Sequence, residues 1–225
     1  MGTVVAGMIM SLDGFISDRN GSVARLYPDL AALCRTDLLQ EAIQTTGAVV
    51  MGRHAYDMAE EDFTGYEFQV PILVLTHAVP EQVAKGENDQ LRFIFVTDGI
   101  EHAIAQAKAA AGDKAVVVLG GAQTIRQCLQ AGLADEIQID LVPVLLGDGL
   151  RLFEYLGLEP IELECIRVVA YPWFTHLRFR VVTEWGGRRP RARPGEMCSS
   201  NVYAPPNVHL SNCATSAVAA ARLFE

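Results

Sequence analysis

The sequence predicts a three-layer α/β/α fold in which a mainly parallel sheet carries antiparallel edge strands. Short β-rich runs alternate with amphipathic helical stretches along most of the chain, as in folds built from βαβ units. The run at 115–119 is apolar and mostly β-branched, which is typical of a strand covered on both faces. Two late strand patterns, at 161–169 and 176–182, lie close together in sequence and indicate an antiparallel pair.

The first half of the chain contains four predicted strands and one long helix. The first strand is predicted at 4–10, and a polar loop rich in Gly, Asp and Asn follows it up to Ser22. Apolar residues at helical spacing, among them Leu30, Leu38 and Ile43, predict a helix over 29–45. Three further strands are predicted at 48–51, 71–75 and 91–96.

The second half repeats this alternation. An Ala-rich helix is predicted over 100–111, with Asp98 as a candidate N-cap just before it. The buried strand at 115–119 runs into Gly120-Gly121 and then into a helix that ends near Gly132. An alternating strand at 136–142 precedes the two edge strands.

Composition excludes several classes of function. The formal net charge is -9, so the chain repels nucleic acid. No apolar run approaches the roughly 18 residues of a membrane span, and the N-terminus lacks the basic region of a signal peptide. The 5 cysteines include no CxxC pair, which argues against a disulfide framework or a zinc site. We expect a cytoplasmic protein that binds no metal, nucleic acid or membrane.

The last 40 residues differ in character from the rest. The segment 186–225 opens with GGRRPRARPGE and continues without strand periodicity. We therefore expect one folded domain over 1–185, followed by a low-structure tail over 186–225 that is either mobile or an appended segment.

Two segments place glycine between a strand and a helix. In VVMGRHAYD, over 49–57, Arg53 and His54 open a helix after Gly52, and amides at a helix start with an arginine form an anion site. In VVVLGGAQTIRQCL, over 116–129, Gly120-Gly121 lets the backbone approach a pyrophosphate. Both turns follow strand carboxyl ends, so they can form one cleft. A solvated arginine and a close-packing Gly-Gly are the alternatives.

Two acidic residues are candidates for substrate chemistry. Asp29, in LYPDLAALCR, stands at a helix start, where it either caps the helix or faces a cleft and there orients a ring with N–H groups or supplies a proton. Asp140 stands near a strand end before the LVPVLL loop and is the second candidate, or else an ordinary polar residue of the strand end. Neither His102 nor His176 belongs to a carboxylate–nucleophile pattern, so both are interpreted as surface or sheet residues.

These segments, together with the loop MSLDGFISDRNG at 10–21, resemble the dihydrofolate reductase superfamily in their order over about residues 3–182. The resemblance is closest to the bacterial dihydrofolate-reductase-like branch, which includes the reductase domain of the riboflavin-biosynthesis protein. It implies an NADPH-dependent oxidoreductase acting on a small heterocycle, either 5-amino-6-(5-phosphoribosylamino)uracil-like or pterin/dihydrofolate-like. It also implies a homodimer.

The resemblance implies a position along NADPH for each candidate binding residue. Arg53 would meet the 2′-phosphate, while Gly52 and His54 would lie near the phosphates. Thr76 and His77, in LTHAVP, would line the adenosine side. The pyrophosphate would lie on Gly120, Gly121, Ala122, Gln123 and Thr124, and the nicotinamide beside Asp13 and Ile16.

Two positions depart from the family pattern. Ala55 stands where many relatives have a phosphate-binding threonine, and Leu119 stands where riboflavin reductases commonly have an acid. These departures favour the alternative of a non-catalytic NADPH-binding homo-oligomer that kept the fold. A second alternative is a flavin- or nucleotide-binding module.

Overall fold

The computed structural model describes residues 2–27, 30–59, 62–157 and 160–182. The strands are β1 (Val4–Ser11), β2 (Phe15–Ser17), β3 (Thr46–Gly52), β4 (Ile72–Leu75), β5 (Phe93–Val96), β6 (Ala115–Leu119), β7 (Glu136–Val142), β8 (Leu150–Arg151), β9 (Leu163–Ala170) and β10 (Thr175–Val181). The helices are α1 (Leu30–Cys34), α2 (Asp37–Thr45), α3 (Arg53–Asp57), α4 (Ile100–Ala111) and α5 (Ala122–Gln130), with a short 3-10 helix at Ala24–Leu26.

Eight of these strands form one sheet in the order β5-β4-β3-β6-β1-β7-β10-β9. The six strands from β5 to β7 are parallel, whereas β10 pairs antiparallel with both β7 and β9. The predicted fold class is therefore confirmed, including the antiparallel edge. The short strands β2 and β8 form a separate pair that the sequence analysis did not predict.

Both faces of the sheet centre are covered. Val50 packs in the cluster that contains α4 and α5, whereas its neighbours Val49 and Met51 pack in a second cluster with α2 and α3. Because side chains alternate along a strand, β3 contributes to both clusters and reads as a continuous apolar run. The faces thus support one helical layer each.

Two local predictions need correction. The single helix predicted over 29–45 is two helices, because Thr36 interrupts it. The Thr36 hydroxyl accepts a hydrogen bond from the Leu39 amide, which caps α2, and it also donates to the Leu33 carbonyl oxygen. At the start of α4, the N-cap is Gly99 and not Asp98, and no side chain caps the helix there.

Some expectations concern residues beyond the described ranges. The tail over 186–225 and the domain end at 185 lie outside the described residues, as does Asp29. Within the ranges given above, no helix has the length and apolar character needed to cross a membrane.

Candidate functional site

A cavity of about 280 Å³ lies on the face of the sheet that α2 and α3 cover. Leu38, Leu39 and Ala42 of α2 form one wall, and Ile16 of β2 contributes to another. Parallel register brings residues of three neighbouring strands side by side beneath it. The floor consists of Gly7 and Ile9 of β1, Val117 and Leu119 of β6, and Gln138 and Asp140 of β7.

The two predicted glycine turns meet at one end of this cavity. The Gly52 amide donates a hydrogen bond to the Gly120 carbonyl oxygen at 3.1 Å, which joins the end of β3 to the end of β6. A Cβ atom added to Gly52 would lie 2.5 Å from the Thr124 Oγ1, so the start of α5 also touches this turn. We call residues 52 and 120–124 the glycine junction.

The glycine junction fits a phosphate group. Gly120 has a φ of 56°, a conformation that favours glycine, and a Cβ added to Gly121 would meet no atom within 4 Å. Gly121 is the N-cap of α5, and no described side chain caps that helix. Gln123 is exposed, whereas Ala122 and Thr124 are buried, so Ala122 offers its amide alone. Uncapped amides at a helix N-terminus attract anions.

Arg53 lies beside the segment that follows β4. Its Nε donates to the Asp57 Oδ1 at 2.7 Å, and its NH1 is 3.4 Å from the Ala78 carbonyl oxygen. The Thr76 hydroxyl donates to that same carbonyl oxygen at 2.8 Å. Arg53 and Thr76 therefore share a partner, and His77, between Thr76 and Ala78 in sequence, is exposed. His54 faces the other way and lines the cavity.

The loop after β1 is held to the loop after β7 by Asp13. The Asp13 carboxylate accepts hydrogen bonds from the Ser11 hydroxyl and from the Leu146 and Gly147 amides. The Ser11 bond, with the two amide bonds, lowers the pKa of Asp13 to about 2. Asp13 lies outside the cavity lining, whereas Ile16 belongs to it. The structure therefore gives Asp13 a loop-fastening contact.

Asp140 is paired with a histidine that the sequence analysis left without a role. His176, directly opposite Asp140 in the β7–β10 register, places its Nδ1 at 2.7 Å from the Asp140 Oδ1. The imidazole is only 1 % exposed, so the interpretation of His176 as a sheet residue holds and that of a surface residue is wrong. Its Nε2 is buried and has no hydrogen-bond partner among the described residues. The geometry indicates that Nδ1–H donates to the carboxylate, which fixes its orientation.

Three further polar side chains line the cavity, Tyr27, Tyr66 and Glu67. Burial raises the pKa of Tyr27, and the nearby charges of Asp140 and Glu67 raise it further. Burial also raises the pKa of Tyr66, with Glu67 and Tyr27 adding to the effect. Sequence reasoning missed all three residues. Tyr27 lies in the LYPDLAALCR segment, where only Asp29 was considered, and Tyr66 and Glu67 belong to no motif that the sequence analysis singled out. For Glu67, the sequence offered one signal of a functional position, which is a lone acid between two aromatic residues, Tyr66 and Phe68.

The sequence profile of the RibD C-terminal domain family matches residues 2–173. Among individual proteins, the uncharacterized protein YyaP of Bacillus subtilis is 28% identical over 191 residues, covering 82% of this chain and 95% of its own length. The uncharacterized protein YwjB of the same organism is 27% identical over 158 residues, covering 67% of this chain and 82% of its own length.

Solved structures with the same fold include a "Putative riboflavin biosynthesis protein" from Shewanella sp. PV-4. It has a TM-score of 0.66 and 23% identity over 80% of this chain and 99% of its own. A diaminohydroxyphosphoribosylaminopyrimidine deaminase/5-amino-6-(5-phosphoribosylamino)uracil reductase from Thermotoga maritima has a TM-score of 0.61 and 15% identity, covering 80% of this chain and 57% of that protein. At these identities the likeness establishes the fold.

Proposed function

The chain belongs to the RibD C-terminal domain family, and we propose that it is an NADPH-dependent oxidoreductase that reduces a small heterocycle. The class of substrate proposed is 5-amino-6-(5-phosphoribosylamino)uracil-like or pterin/dihydrofolate-like. The observation that carries this proposal is the meeting of two strand–glycine–helix turns beside a cavity that is lined by two acidic side chains. A site for phosphates next to an enclosed site for a ring is what such a reductase requires.

Each part of the glycine junction has a role in this proposal. The amides at 121–123 would hold the pyrophosphate, and Thr124 supports the turn from beneath through its contact with Gly52. Arg53, Thr76 and His77 would hold the 2′-phosphate and adenosine side, because a guanidinium grips a phosphate with two parallel hydrogen bonds. Asp57 and the Ala78 carbonyl oxygen orient that guanidinium in advance.

The cavity would hold the nicotinamide and the substrate ring. Bound NADPH supplies a hydride for the carbon of a C=N or C=O bond, while the nitrogen or oxygen of that bond takes up a proton. Asp140 is suited to orient the ring or to pass on that proton, because His176 holds its carboxylate in place. Ile16 would pack against the ring, and Asp13 would hold the loop that carries it. Asp29, the other proposed acid, has its proposed role from the sequence and the resemblance.

The proposal also includes assembly and location. We expect a homodimer, as the family resemblance implies, and a location in the cytoplasm, as the composition predicts. Sedimentation velocity on the purified chain would measure the assembly, and a species of one chain alone at micromolar concentration would contradict the dimer.

A fluorescence titration with NADPH and NADH tests the cofactor. We expect NADPH to bind more tightly than NADH, and Arg53→Ala to weaken NADPH binding by about ten- to a hundredfold while leaving NADH binding little changed, since a hydrogen bond to a charged group contributes about 1.5–3 kcal/mol. Arg92→Ala, at an exposed arginine after the 80–91 segment, is the matched control. If neither nucleotide binds, the proposed function is wrong. Binding without any substrate-dependent oxidation of NADPH would instead support the non-catalytic alternative.

A further inference from the structure

The carboxyl group of Glu67 lies at the wall of the cavity with part of its hydrogen-bonding capacity unused. Its Oε2 is buried and has no hydrogen-bond partner within the part of the chain that the structure describes. The aromatic residues on either side, Tyr66 and Phe68, are both 5% exposed and belong to the apolar cluster behind the wall. Burying a carboxylate oxygen without a partner is costly, so this arrangement indicates an oxygen that a ligand satisfies.

A second carboxyl group serves the same cavity. Asp140 belongs to the floor of the cavity, and one of its carboxylate oxygens accepts a hydrogen bond from His176. The Asp140 side chain is 21% exposed. Asp140 and Glu67 thus both belong to the lining of this cavity, together with Tyr27. Two acidic groups in one lining accept hydrogen bonds, and they repel an anion.

The remaining lining contains no counter-ion for a phosphate. Among the described residues that line the cavity there is no lysine or arginine, and most are aliphatic or aromatic. His54 is the one lining histidine in that set, and it lies at the glycine junction, where α3 begins. A phosphate placed deep in the cavity would therefore lose its water without gaining a basic partner.

We propose that the cavity binds an amino-substituted heterocycle rich in N–H groups and without a phosphate, with Glu67 as well as Asp140 hydrogen-bonded to ring N–H groups. This inference rests on the proposed function and narrows its substrate class. Unphosphorylated aminopyrimidines and pterins have the required chemistry, whereas a phosphoribosyl substrate does not. Glu67 is accordingly a specificity-determining residue.

Isothermal titration calorimetry on the full 225-residue chain tests this choice. The ligands are 5-amino-6-(5-phosphoribosylamino)uracil, its dephosphorylated counterpart and pterin, each with and without saturating NADP⁺. We expect at least one of the two unphosphorylated ligands to bind at least about tenfold more tightly than the phosphorylated compound. Equal or tighter binding of the phosphorylated compound overturns the proposal.

Variants of Glu67 test the residue itself. Glu67→Gln keeps the size of the side chain, and we expect it to weaken binding of the unphosphorylated ligand by about tenfold or more. Glu67→Leu should abolish measurable binding while leaving Tm unchanged or higher, because it removes a carboxylate oxygen that is buried without a partner among the described residues. Glu81→Gln, at an exposed glutamate outside the lining, is the control and should bind normally. Unchanged binding in Glu67→Gln overturns the proposal.

The two proposals fail in different ways. If the unphosphorylated ring binds but NADPH does not, the reductase assignment fails and the ligand class stands. If NADPH binds and the phosphorylated compound is preferred, the ligand class fails and the reductase assignment stands. Should Glu67→Leu not fold, the isosteric Glu67→Gln variant decides the outcome alone.

Discussion

The glycine junction and the cavity beside it use opposite chemistry, although they share the strand β6. The junction presents backbone amides, an uncapped helix start and, nearby, a half-exposed guanidinium. The cavity presents two carboxyl groups, two phenols and an apolar lining. Anions are therefore stabilised at one end, and groups that donate hydrogen bonds are stabilised at the other.

This difference means that a ligand with both kinds of group has one favourable direction. Under the proposed function, a dinucleotide would place its phosphates at the junction and its nicotinamide ring toward the cavity, and the substrate ring would then meet the carboxyl groups. The division also separates the consequences of mutation. Changes at the junction should act through backbone geometry, whereas changes in the cavity should act through the charge and hydrogen bonding of single side chains.

The largest effect is expected for Asp140→Asn in the cavity. The amide keeps an oxygen for the His176 Nδ1–H, so the fold should persist, but it carries no charge and transfers no proton. We expect kcat to fall by about 10²–10⁴-fold, the usual range for loss of a general acid or base. Steady-state oxidation of NADPH with the substrate found by screening measures this.

Asp140→Leu separates catalysis from stability at the same position. It leaves the buried His176 Nδ1 without an acceptor, so urea unfolding should show a loss of about 1–3 kcal/mol that Asp140→Asn does not share. Asp98→Asn, at an exposed aspartate before α4, is the control for both measurements. If the Asp140→Asn variant retains the full kcat, Asp140 has no role in the proton transfer.

The next largest effect is expected where Gly52 contacts Thr124 in the glycine junction. Gly52 has φ -80° and ψ 159°, which any residue adopts, so Gly52→Ala is opposed only by the Thr124 Oγ1 that would lie 2.5 Å from the new methyl group. We expect a loss of about 1–3 kcal/mol in the free energy of unfolding. In a Thr124→Ala background the methyl group has room, and the double variant should recover about 1 kcal/mol or more of that loss. Urea unfolding of the single and double variants measures this recovery. If the free-energy losses of the two single variants simply add in the double variant, the contact between residue 52 and Thr124 is contradicted.

The elements of the fold differ in how well the sequence alone predicts them. The boundaries predicted for α4, β6 and β7, at 100–111, 115–119 and 136–142, coincide with those observed, because apolar periodicity and flanking turns are local signals. The break between α1 and α2 escaped prediction because the Thr36 hydroxyl competes with the helix backbone, an effect that the leucine spacing does not record.

The junction was visible in the sequence because each of its turns is a contiguous motif after a strand. The cavity was visible only in part. Asp140, His54 and Ile16 were candidates, whereas its other polar groups come from separate segments and acquire their properties only on folding. His176 lies 36 residues from Asp140 in sequence and becomes its partner through antiparallel register. Glu67 is noteworthy only for its burial, and neither spacing nor composition predicts that an acid in a loop becomes buried.

The smallest effect is expected at Asp13. Its carboxylate holds the loop that precedes Ile16, a residue of the cavity lining, to the loop after β7. Its pKa is lowered from 3.8 to about 2 by hydrogen bonds to the ionised form, so folding favours the carboxylate. The stabilisation is therefore present in full above pH 4 and is lost as the pH falls through about 2. Asp13→Asn should lower Tm slightly at neutral pH, and its Tm should converge with that of the wild type near pH 2.

Thermal unfolding between pH 2 and 7 measures this convergence of the Tm values. The Ser11→Ala variant tests which hydrogen bond causes it. The Ser11 hydroxyl is the main cause of the lowered pKa, so its removal should shift the loss of stability toward pH 3.8. A difference in Tm between wild type and Asp13→Asn that stays constant down to pH 2 would mean that the carboxylate does not hold the loop. In that case the loop after β1 would depend on Arg151, which donates to the Asp13 carbonyl oxygen and lies over the Phe15 ring. The cavity wall would then be fastened by a cation–π contact that is insensitive to acid.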